Sequence, residues 1–169
     1  MNQKLLIAGA IVVIVFAIIY SEQKKQIAPK QQTISGSFDK KKTKTDAEWN
    51  KILTSEQYHI LREAGTEIPF TGKLNNEKRK GTYYSAGCDE PVFRSQEKYD
   101  SGTGWPSFFA PINTDALVLR RETAPGDDRI EVLDKCGSHL GHVFDDGPQP
   151  TGKRYCMNSA AMYFVPDKK

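Results

Sequence analysis

From Gly65 onward, short apolar and aromatic runs alternate with turn-forming residues. The runs read GTYYSAG, ALVLRRE, RIEVLD, HLGHVF and MYFVP, and Gly, Pro, Asn and Asp separate them. Each run has about the length of one β-strand, and strands joined by short turns pair antiparallel. The pattern therefore predicts a mainly β (α+β) domain built from antiparallel strands.

Two helical segments precede the predicted strands, DAEWNKIL and TSEQYHILREAG. Thr54 and Gln57 have the spacing of a capping box, in which each residue satisfies a backbone N–H of the other. Gly65 fits the position just after a helix end. The sequence thus predicts short helices at the N-terminal edge of a domain that begins near Asp46 and ends near residue 167.

An uncharged apolar run occupies residues 5–20. Its length lies between the roughly 17–25 residues of a membrane span and the roughly 7–15 residues of a signal-peptide core. No typical cleavage site follows, so we interpret residues 1–20 as an N-terminal membrane anchor in preference to a cleaved, signal-like segment. Residues 21–45 are rich in Lys, Gln, Ser and Thr, which predicts a flexible linker.

Charge and cysteine content restrict the function further. The net charge is only +3 and the lysines form no obvious reading helix, so nucleic-acid binding is not expected. Three cysteines are too few for a disulfide scaffold of the secreted mini-protein kind. Their odd number leaves at least one thiol unpaired within the chain, and a lone thiol in a chain with histidines is a candidate nucleophile.

The segment RYCMNS, residues 154–159, contains the most suggestive cysteine. Side chains alternate between the two faces of a strand, so Arg154, Cys156 and Asn158 are predicted to share one face. A positive charge beside a thiol favours the thiolate, which is the reactive form. The segment therefore predicts a working site, although a small buried cysteine of purely structural role fits the same six residues.

Two histidines lie close together in CGSHLGHVFDDGP. Residues three apart face opposite sides of a regular strand, but a bulge at Gly141 would let His139 and His142 face the same site. Asp145 and Asp146 follow closely and are candidates for orienting a ring. Cysteine with histidine is compatible with acyl transfer, metal binding or redox chemistry, and the residue types alone do not separate these.

The segment SGTGWPSFF predicts a tight loop that presents Trp105, Phe108 and Phe109. One interpretation is a plug of the hydrophobic core. The other is an apolar wall for a small methyl-bearing group of a substrate.

A metal site is the weaker interpretation of the remaining cysteines. Cys88 and Cys136 together with His139 and His142 would make a Cys2His2 set. Structural zinc sites usually draw on closely spaced ligand pairs, and Cys88 has no close partner in the sequence. We therefore expect no metal and no other cofactor.

The chain resembles the methionine-R-sulfoxide reductases of the B class, the SelR-domain family, over about residues 46–166. The resemblance runs through LTSEQYHILREAGTEIPFTG, GTYYSAGC, KYDSGTGWPSF and HLGHVFDDGPQPTGKRYCMNSAAMYF. It implies two antiparallel β-sheets packed face to face with short N-terminal helices. It also implies thiol-dependent reduction of methionine-R-sulfoxide in oxidised proteins, through a sulfenic acid on Cys156 that thioredoxin or another thiol reduces.

The resemblance also assigns roles to individual residues. In the family, the cysteine at the position of Cys156 attacks the sulfoxide sulfur. The departing oxygen needs a proton donor, for which His142 is our first candidate and His139 the second. The remaining implied residues are Asp146, Arg154 and Asn158 in the catalytic site and Trp105 and Phe144 at the substrate.

Two departures from the family pattern concern cysteines. Many members bind zinc through two C-x-x-C pairs, but Ser85 and Leu133 replace one cysteine of each pair here. The resemblance makes the survivors, Cys88 and Cys136, candidates for a disulfide, which would fit a domain on the periplasmic or extracytoplasmic side of a membrane. A resolving cysteine found in some members is Thr103 here, so either Cys88 or Cys136 resolves the intermediate or an external thiol does. We favour the external thiol.

Two other functions compete with the reductase. The first is a catalytically inactive structural metal-binding or interaction module, which predicts bound zinc and indifference to loss of Cys156. The second is a Cys–His hydrolase or acyl transferase, which predicts an acyl-enzyme. This function gives no role to the predicted apolar wall at Trp105.

Overall fold

The computed structural model describes residues 34–123 and 128–168. Two α-helices precede most of the strands: α1 (Asp46–Ile52) and α2 (Ser55–Glu63). A short 3-10 helix spans Ser159–Ala161. The ten strands of the described residues are β1 (Ile34–Ser35), β2 (Gly81–Ser85), β3 (Pro91–Arg94), β4 (Lys98–Tyr99), β5 (Ser107–Phe108), β6 (Val118–Arg121), β7 (Ile130–Leu133), β8 (His139–Phe144), β9 (Arg154–Met157) and β10 (Met162–Pro166).

The strands form two antiparallel sheets. The larger sheet has the order β1-β6-β7-β8-β9-β5-β4, and the smaller has the order β10-β2-β3. Side chains of both sheets meet in one core, where the ring of Phe93 from β3 stacks on that of Phe108 from β5, with 4.3 Å between ring centroids. The predicted fold class, two antiparallel sheets face to face with short N-terminal helices, is confirmed.

Each helix begins with a capping box. Thr45 caps α1 with Glu48, and Thr54 caps α2 with Gln57, as the sequence predicts for the second pair. Helix α2 places Ile60 and Leu61 in the core. The left-handed residue that ends this helix is Ala64 (φ 54°), one position before Gly65.

The aromatic loop before β5 contributes to the core as well as to a surface. Phe108 is fully buried between Phe93 and Tyr83, so the core-plug interpretation is right for this residue. Trp105 is half-buried. The alternation of faces along the strand thus separates the aromatic residues that the sequence groups together.

The first described residues fall within the predicted linker. Ile34 and Ser35 pair with β6, and the backbone N–H of Asp39 donates to the carbonyl of Lys135 at 2.8 Å. Contacts of the described domain therefore begin at residue 34, before the predicted boundary near Asp46. Residues 21–33 of the predicted linker and the predicted anchor over residues 1–20 lie outside the described residues.

The predicted localisation requires a correction. Within residues 34–123 and 128–168, no helix combines the length and apolar character that crossing a membrane requires. Attachment to a membrane with the domain on the extracytoplasmic side is therefore not retained.

Candidate active site

The candidate site is a row of side chains on one face of the larger sheet. Directly paired residues of neighbouring antiparallel strands project to the same side. One such row crosses four strands: Glu131, His142, Cys156 and Ser107. The next residues along the strands, including Val143 and Phe108, face the core instead. The fold thus places Cys156 opposite His142 on the outer face.

A bulge in β8 brings the second histidine to this face. The pairing of β7 with β8 shifts between Val132, which lies opposite Gly141, and Leu133, which lies opposite His139. The extra residue re-aims the strand, and the His139 and His142 rings lie 5.2 Å apart between centroids. The bulge predicted at Gly141 is therefore present, next to this glycine.

Gly141 is also required for the close approach of β9. A Cβ atom at this position would lie 2.1 Å from the Cys156 carbonyl oxygen, closer than non-bonded atoms approach. We expect Gly141→Ala to lower the free energy of unfolding by about 2 kcal/mol, because overpacking displaces a strand. Urea unfolding compared with Gly102→Ala provides the measurement and a control, since a Cβ at Gly102 meets nothing within 4 Å. Both glycines have positive φ, so equal losses would show that backbone strain alone is responsible.

His139 is held by a buried ion-pair network. Its Nδ1 lies 2.9 Å from Glu131 Oε1, and Arg120 contacts the other oxygen of this carboxylate at 2.6 Å. Burial raises the pKa of Glu131, but the hydrogen bonds from His139 and Arg120 lower it more, so the net pKa is lowered. An ionised carboxylate accepts, so Nδ1 of His139 carries the proton. His139 Nε2 is buried and has no hydrogen-bond partner among the described residues.

His142 is held by a second carboxylate. Its Nε2 lies 3.1 Å from Glu122 Oε1, and Arg129 pairs with the same carboxylate at 3.0 Å. Burial lowers the pKa of His142 more than the Glu122 hydrogen bond raises it. The imidazole is therefore neutral at neutral pH, with Nε2 as the donor to Glu122 and Nδ1 as an acceptor.

Hydroxyl groups surround the sulfur of Cys156. Thr103 Oγ1 lies 3.9 Å from the sulfur and 2.8 Å from Ser101 Oγ, which lies 2.7 Å from Ser107 Oγ. Burial raises the pKa of Cys156, while Thr103, Arg154 and Ser107 lower it by less. Arg154 favours the thiolate, as the sequence predicts, but burial outweighs this charge, so the Cys156 sulfur is not ionised in the resting site.

This balance predicts the pH dependence of thiol alkylation. Only the thiolate reacts with iodoacetamide, so the rate at Cys156 should rise with pH and reach half its maximum above the pKa of an ordinary cysteine thiol. Arg154→Gln should move this midpoint further up, because it removes a charge that stabilises the thiolate. The rate is measured by mass spectrometry of the modified Cys156 peptide. A midpoint below that of free cysteine would contradict the raised pKa.

Arg154 lies beside Cys156 on the site face, as the alternation in RYCMNS predicts. Its guanidinium binds both oxygens of Asp146 at 2.8 Å and stacks over the Phe144 ring at 4.3 Å. The hydrogen bonds from Arg154 lower the pKa of Asp146. Asp146 and Phe144 therefore both fix the position of the charge beside the thiol.

Asn158 differs from its expected place on the same strand face. It lies after the end of β9 and is buried, where its Nδ2 donates to the Leu140 carbonyl at 3.1 Å and its Oδ1 accepts from Glu67 N at 3.0 Å. Its amide thus joins the bulge of β8 to the segment at Glu67. The Glu67 carbonyl in turn accepts from Trp105 Nε1 at 3.1 Å, which orients the indole.

Comparison with known proteins agrees with this geometry. The SelR domain matches residues 53–166. The chain belongs to the MsrB family of SelR-domain proteins. "Peptide methionine sulfoxide reductase MsrB" of Methanosarcina barkeri is 52% identical over 127 residues, which is 75% of this chain and 89% of the relative. The protein of the same name from Agrobacterium fabrum is 54% identical over 127 residues, or 75% and 94% of the two chains. That from Pseudomonas putida is 55% identical over 124 residues, or 73% and 93%.

The residues present do not fit the zinc site that many members of the family carry. Cys88 and Cys136 form a disulfide, with 5.5 Å between their Cα atoms. Ser85 stands where a third cysteine would, and its hydroxyl donates to the buried carboxylate of Asp134. The fourth position is Leu133, which carries no ligand atom. Sulfurs bonded to each other are not zinc ligands, so this set does not fit the family's metal.

The disulfide lies in a hydrophobic cluster separate from the main core. Trp49 of α1 packs against Cys88 and Cys136 in this cluster, whereas Met157, the residue after Cys156, belongs to the main core. The structure therefore brings together the histidines, Arg154 and Cys156, and does not bring the other two cysteines into the same cluster.

Sequence reasoning missed the carboxylates that hold the site. Glu131 and Glu122 position the histidines, and Glu67 accepts from two backbone N–H groups after Asn158, those of Ser159 and Ala160. One signal was available in the sequence, since Glu131 is the one charged residue within the apolar run IEVL of RIEVLD. The partner of each carboxylate is distant in sequence, so spacing did not reveal the pairing.

Proposed function

We propose that this protein reduces methionine-R-sulfoxide in oxidised proteins to methionine, with Cys156 as the nucleophile. One observation carries the proposal: in a chain of the MsrB family, Cys156 lies directly opposite His142 and beside Arg154 on one sheet face. A nucleophile, a proton carrier and a cation on one sheet face are what thiol attack on a polarised S–O bond requires.

The first half-reaction transfers one oxygen atom. The sulfur of Cys156 attacks the sulfoxide sulfur and forms a transient S–S bond. The oxygen then moves to the Cys156 sulfur as the S–O bond of the substrate and the S–S bond both break, which leaves a sulfenic acid on Cys156 and releases methionine. Methionine sulfoxide is reduced and Cys156 is oxidised by two electrons. The thiol hydrogen and the sulfoxide oxygen together account for the S–OH group, so no net proton is taken up.

The neutral state of both groups defines the route of the proton. Cys156 has a raised pKa and His142 a lowered pKa, so the resting pair is a thiol facing an imidazole. His142 takes the thiol proton as the sulfur attacks and returns it to the departing oxygen, which is general base followed by general acid catalysis. His139, anchored on Glu131, is the second candidate for this role.

Trp105 is the proposed wall for the methyl group of the substrate. The hydrogen bond from its Nε1 to the Glu67 carbonyl supports this role, because it fixes the plane of a half-buried ring on the loop that also carries Thr103. Phe144 is the second proposed substrate contact, stacked beneath Arg154.

The second half-reaction needs an external reductant. The chain has three cysteines, and with Cys88 and Cys136 joined in a disulfide, Cys156 has no thiol partner of its own. An external thiol forms a mixed disulfide with Cys156 and releases water, and a second thiol then frees Cys156. A thioredoxin-like dithiol protein supplies both thiols in one molecule. All electrons come from thiols, so the reaction needs no cofactor.

The two epimers of N-acetyl-methionine sulfoxide provide the decisive experiment. We expect turnover of the R epimer and none of the S epimer, measured with dithiothreitol and with thioredoxin, thioredoxin reductase and NADPH in parallel. Turnover with dithiothreitol but not with thioredoxin would support reduction of the sulfoxide. It would also show that a thiol other than thioredoxin is the reductant. Equal turnover of both epimers, or none with either reductant, would overturn the proposed function.

A further inference from the structure

Two large apolar side chains next to the site are exposed. Ile68 is 71% and Phe70 is 68% exposed, the two highest values among the large hydrophobic residues of the described chain. They flank Pro69 in a tight turn that Thr71 closes, with its N–H and its hydroxyl both donating to the Ile68 carbonyl, at 3.4 and 2.7 Å. Apolar side chains this exposed gain nothing from the core of the protein.

Phe70 also adopts a backbone conformation that bulky residues rarely take. Its φ is 68°, and it occupies the third position of the turn, where a positive φ favours glycine. Backbone strain of this kind persists where the surroundings impose it, and such positions cluster at functional sites. Here the Phe70 N–H donates to the Gly104 carbonyl at 2.8 Å, which holds the strained residue in place.

The same contacts connect the turn to the candidate active site. The Phe70 ring lies over Gly104, where an added Cβ would come within 2.8 Å of the ring. The neighbouring residue in the chain, Thr103, lies 3.9 Å from the Cys156 sulfur. On the other side of the turn, Glu67 accepts from the Trp105 indole and donates to Asn158. The exposed pair is therefore fixed to the loop that borders the nucleophile.

We propose that Ile68 and Phe70 form a binding surface for apolar side chains that flank an oxidised methionine in an extended polypeptide. This inference rests on the proposed function and adds the substrate class. An extended chain advances about 3.5 Å per residue, so a residue a few positions from the methionine reaches a surface next to the Thr103–Gly104 loop.

The chemistry of the substrate favours this occupant over others. Methionine is most often buried among apolar neighbours, and its oxidation places a polar group there and disrupts the packing. The polypeptides that need repair therefore present apolar side chains next to the sulfoxide. A fixed apolar surface beside the nucleophile selects such segments, and free methionine sulfoxide has no flanking residues to use it.

Two synthetic peptides with a central methionine-R-sulfoxide provide the test. One has leucine and phenylalanine around the sulfoxide, and the other has glycine and serine. With dithiothreitol as reductant, we expect the wild-type protein to prefer the apolar peptide about tenfold in kcat/KM. Partial burial of one aromatic ring contributes a binding free energy that corresponds to about this ratio. Phe70→Ala and Phe70→Gly should bring this ratio close to one, because KM rises more for the apolar peptide than for the glycine–serine peptide.

Matched variants distinguish the loss of this binding surface from the loss of any exposed apolar side chain and from a change in stability. Ile52 of α1 is 60% exposed, and Ile52→Ala should keep the preference. Phe70→Gly should unfold at a higher urea concentration than Phe70→Ala, because glycine accepts the positive φ, while both lose the preference. The inference is overturned by a wild-type protein without preference, by equal losses on both peptides, or by the same loss in Ile52→Ala.

Two further outcomes are distinguishable. If the wild-type protein turns over neither peptide, the proposed function fails. Binding of the two peptides to the Cys156→Ser protein then tests the surface alone, with tighter binding of the apolar peptide expected only when Phe70 is present. If Phe70→Ala instead changes the sedimentation coefficient of the protein, a second copy of the chain occupies the surface, and the inference is overturned.

Discussion

Cys156→Ser is expected to lower turnover of methionine-R-sulfoxide by at least about a thousandfold, as removal of a covalent nucleophile does in other enzymes. The physical reason lies in the product of the first step. Sulfur accepts the oxygen as a stable sulfenic acid, whereas a serine hydroxyl would have to form a weak O–O bond. Neither the neutral His142 nor the Arg154 charge compensates for this difference. The measurement is kcat/KM with dithiothreitol on the R epimer of N-acetyl-methionine sulfoxide.

The control is the stability of the same variant. Serine is close to cysteine in size, and Cys156 is only partly buried. The free energy of unfolding, measured with urea, should therefore change by less than about 1 kcal/mol. If the variant is folded but inactive, the loss of turnover is due to the missing thiol and not to unfolding. Retained turnover in a folded Cys156→Ser protein would refute Cys156 as the nucleophile and would favour a different site. Bound zinc with indifference to this substitution would favour the inactive metal-binding module.

Replacing Cys88 and Cys136 together by serine is expected to lower the free energy of unfolding by about 4 kcal/mol. The disulfide closes a loop of 48 residues, and the chain-entropy model assigns that stabilisation to a cross-link of this length. Both sulfurs are buried against Trp49, so lost packing adds to the effect. Urea unfolding of the double variant beside the oxidised wild-type protein measures the difference. Equal midpoints for the two proteins would show that the disulfide contributes nothing to stability.

The same variant tests where the electrons come from. If an external thiol reduces the sulfenic acid on Cys156, the double variant keeps its thioredoxin-dependent turnover per folded molecule. Loss of that turnover, with single-turnover reduction of the sulfoxide intact, would instead make Cys88 or Cys136 the resolving residue. Measurements are made at a temperature where the less stable variant is still folded.

Local patterns predicted much of this fold because they depend on residues close in sequence. The Thr54–Gln57 capping box begins α2 where the sequence indicates it. Alternation along RYCM places Arg154 and Cys156 on one face, and a glycine between two histidines marks the bulge that brings both rings to that face. Each of these features follows from spacing within one element.

Alternation failed where the strand ended. Asn158 was assigned to the face of Cys156, but β9 stops at Met157 and the amide turns to join β8 to the segment at Glu67. The ends of a strand depend on its partners in the sheet, and these lie far away in the sequence.

Residue spacing alone was sufficient for the antiparallel β class and for the placement of Arg154 beside Cys156 on one strand face. The tertiary structure decided the protonation state of Cys156 and the contacts that hold the two histidines in place. Burial outweighs Arg154 and keeps the Cys156 thiol protonated, and Glu131 and Glu122 meet their histidines only through sheet pairing and the bulge. Desolvation and long-range contacts are sums over the whole fold, whereas propensity and alternation are properties of a few adjacent residues.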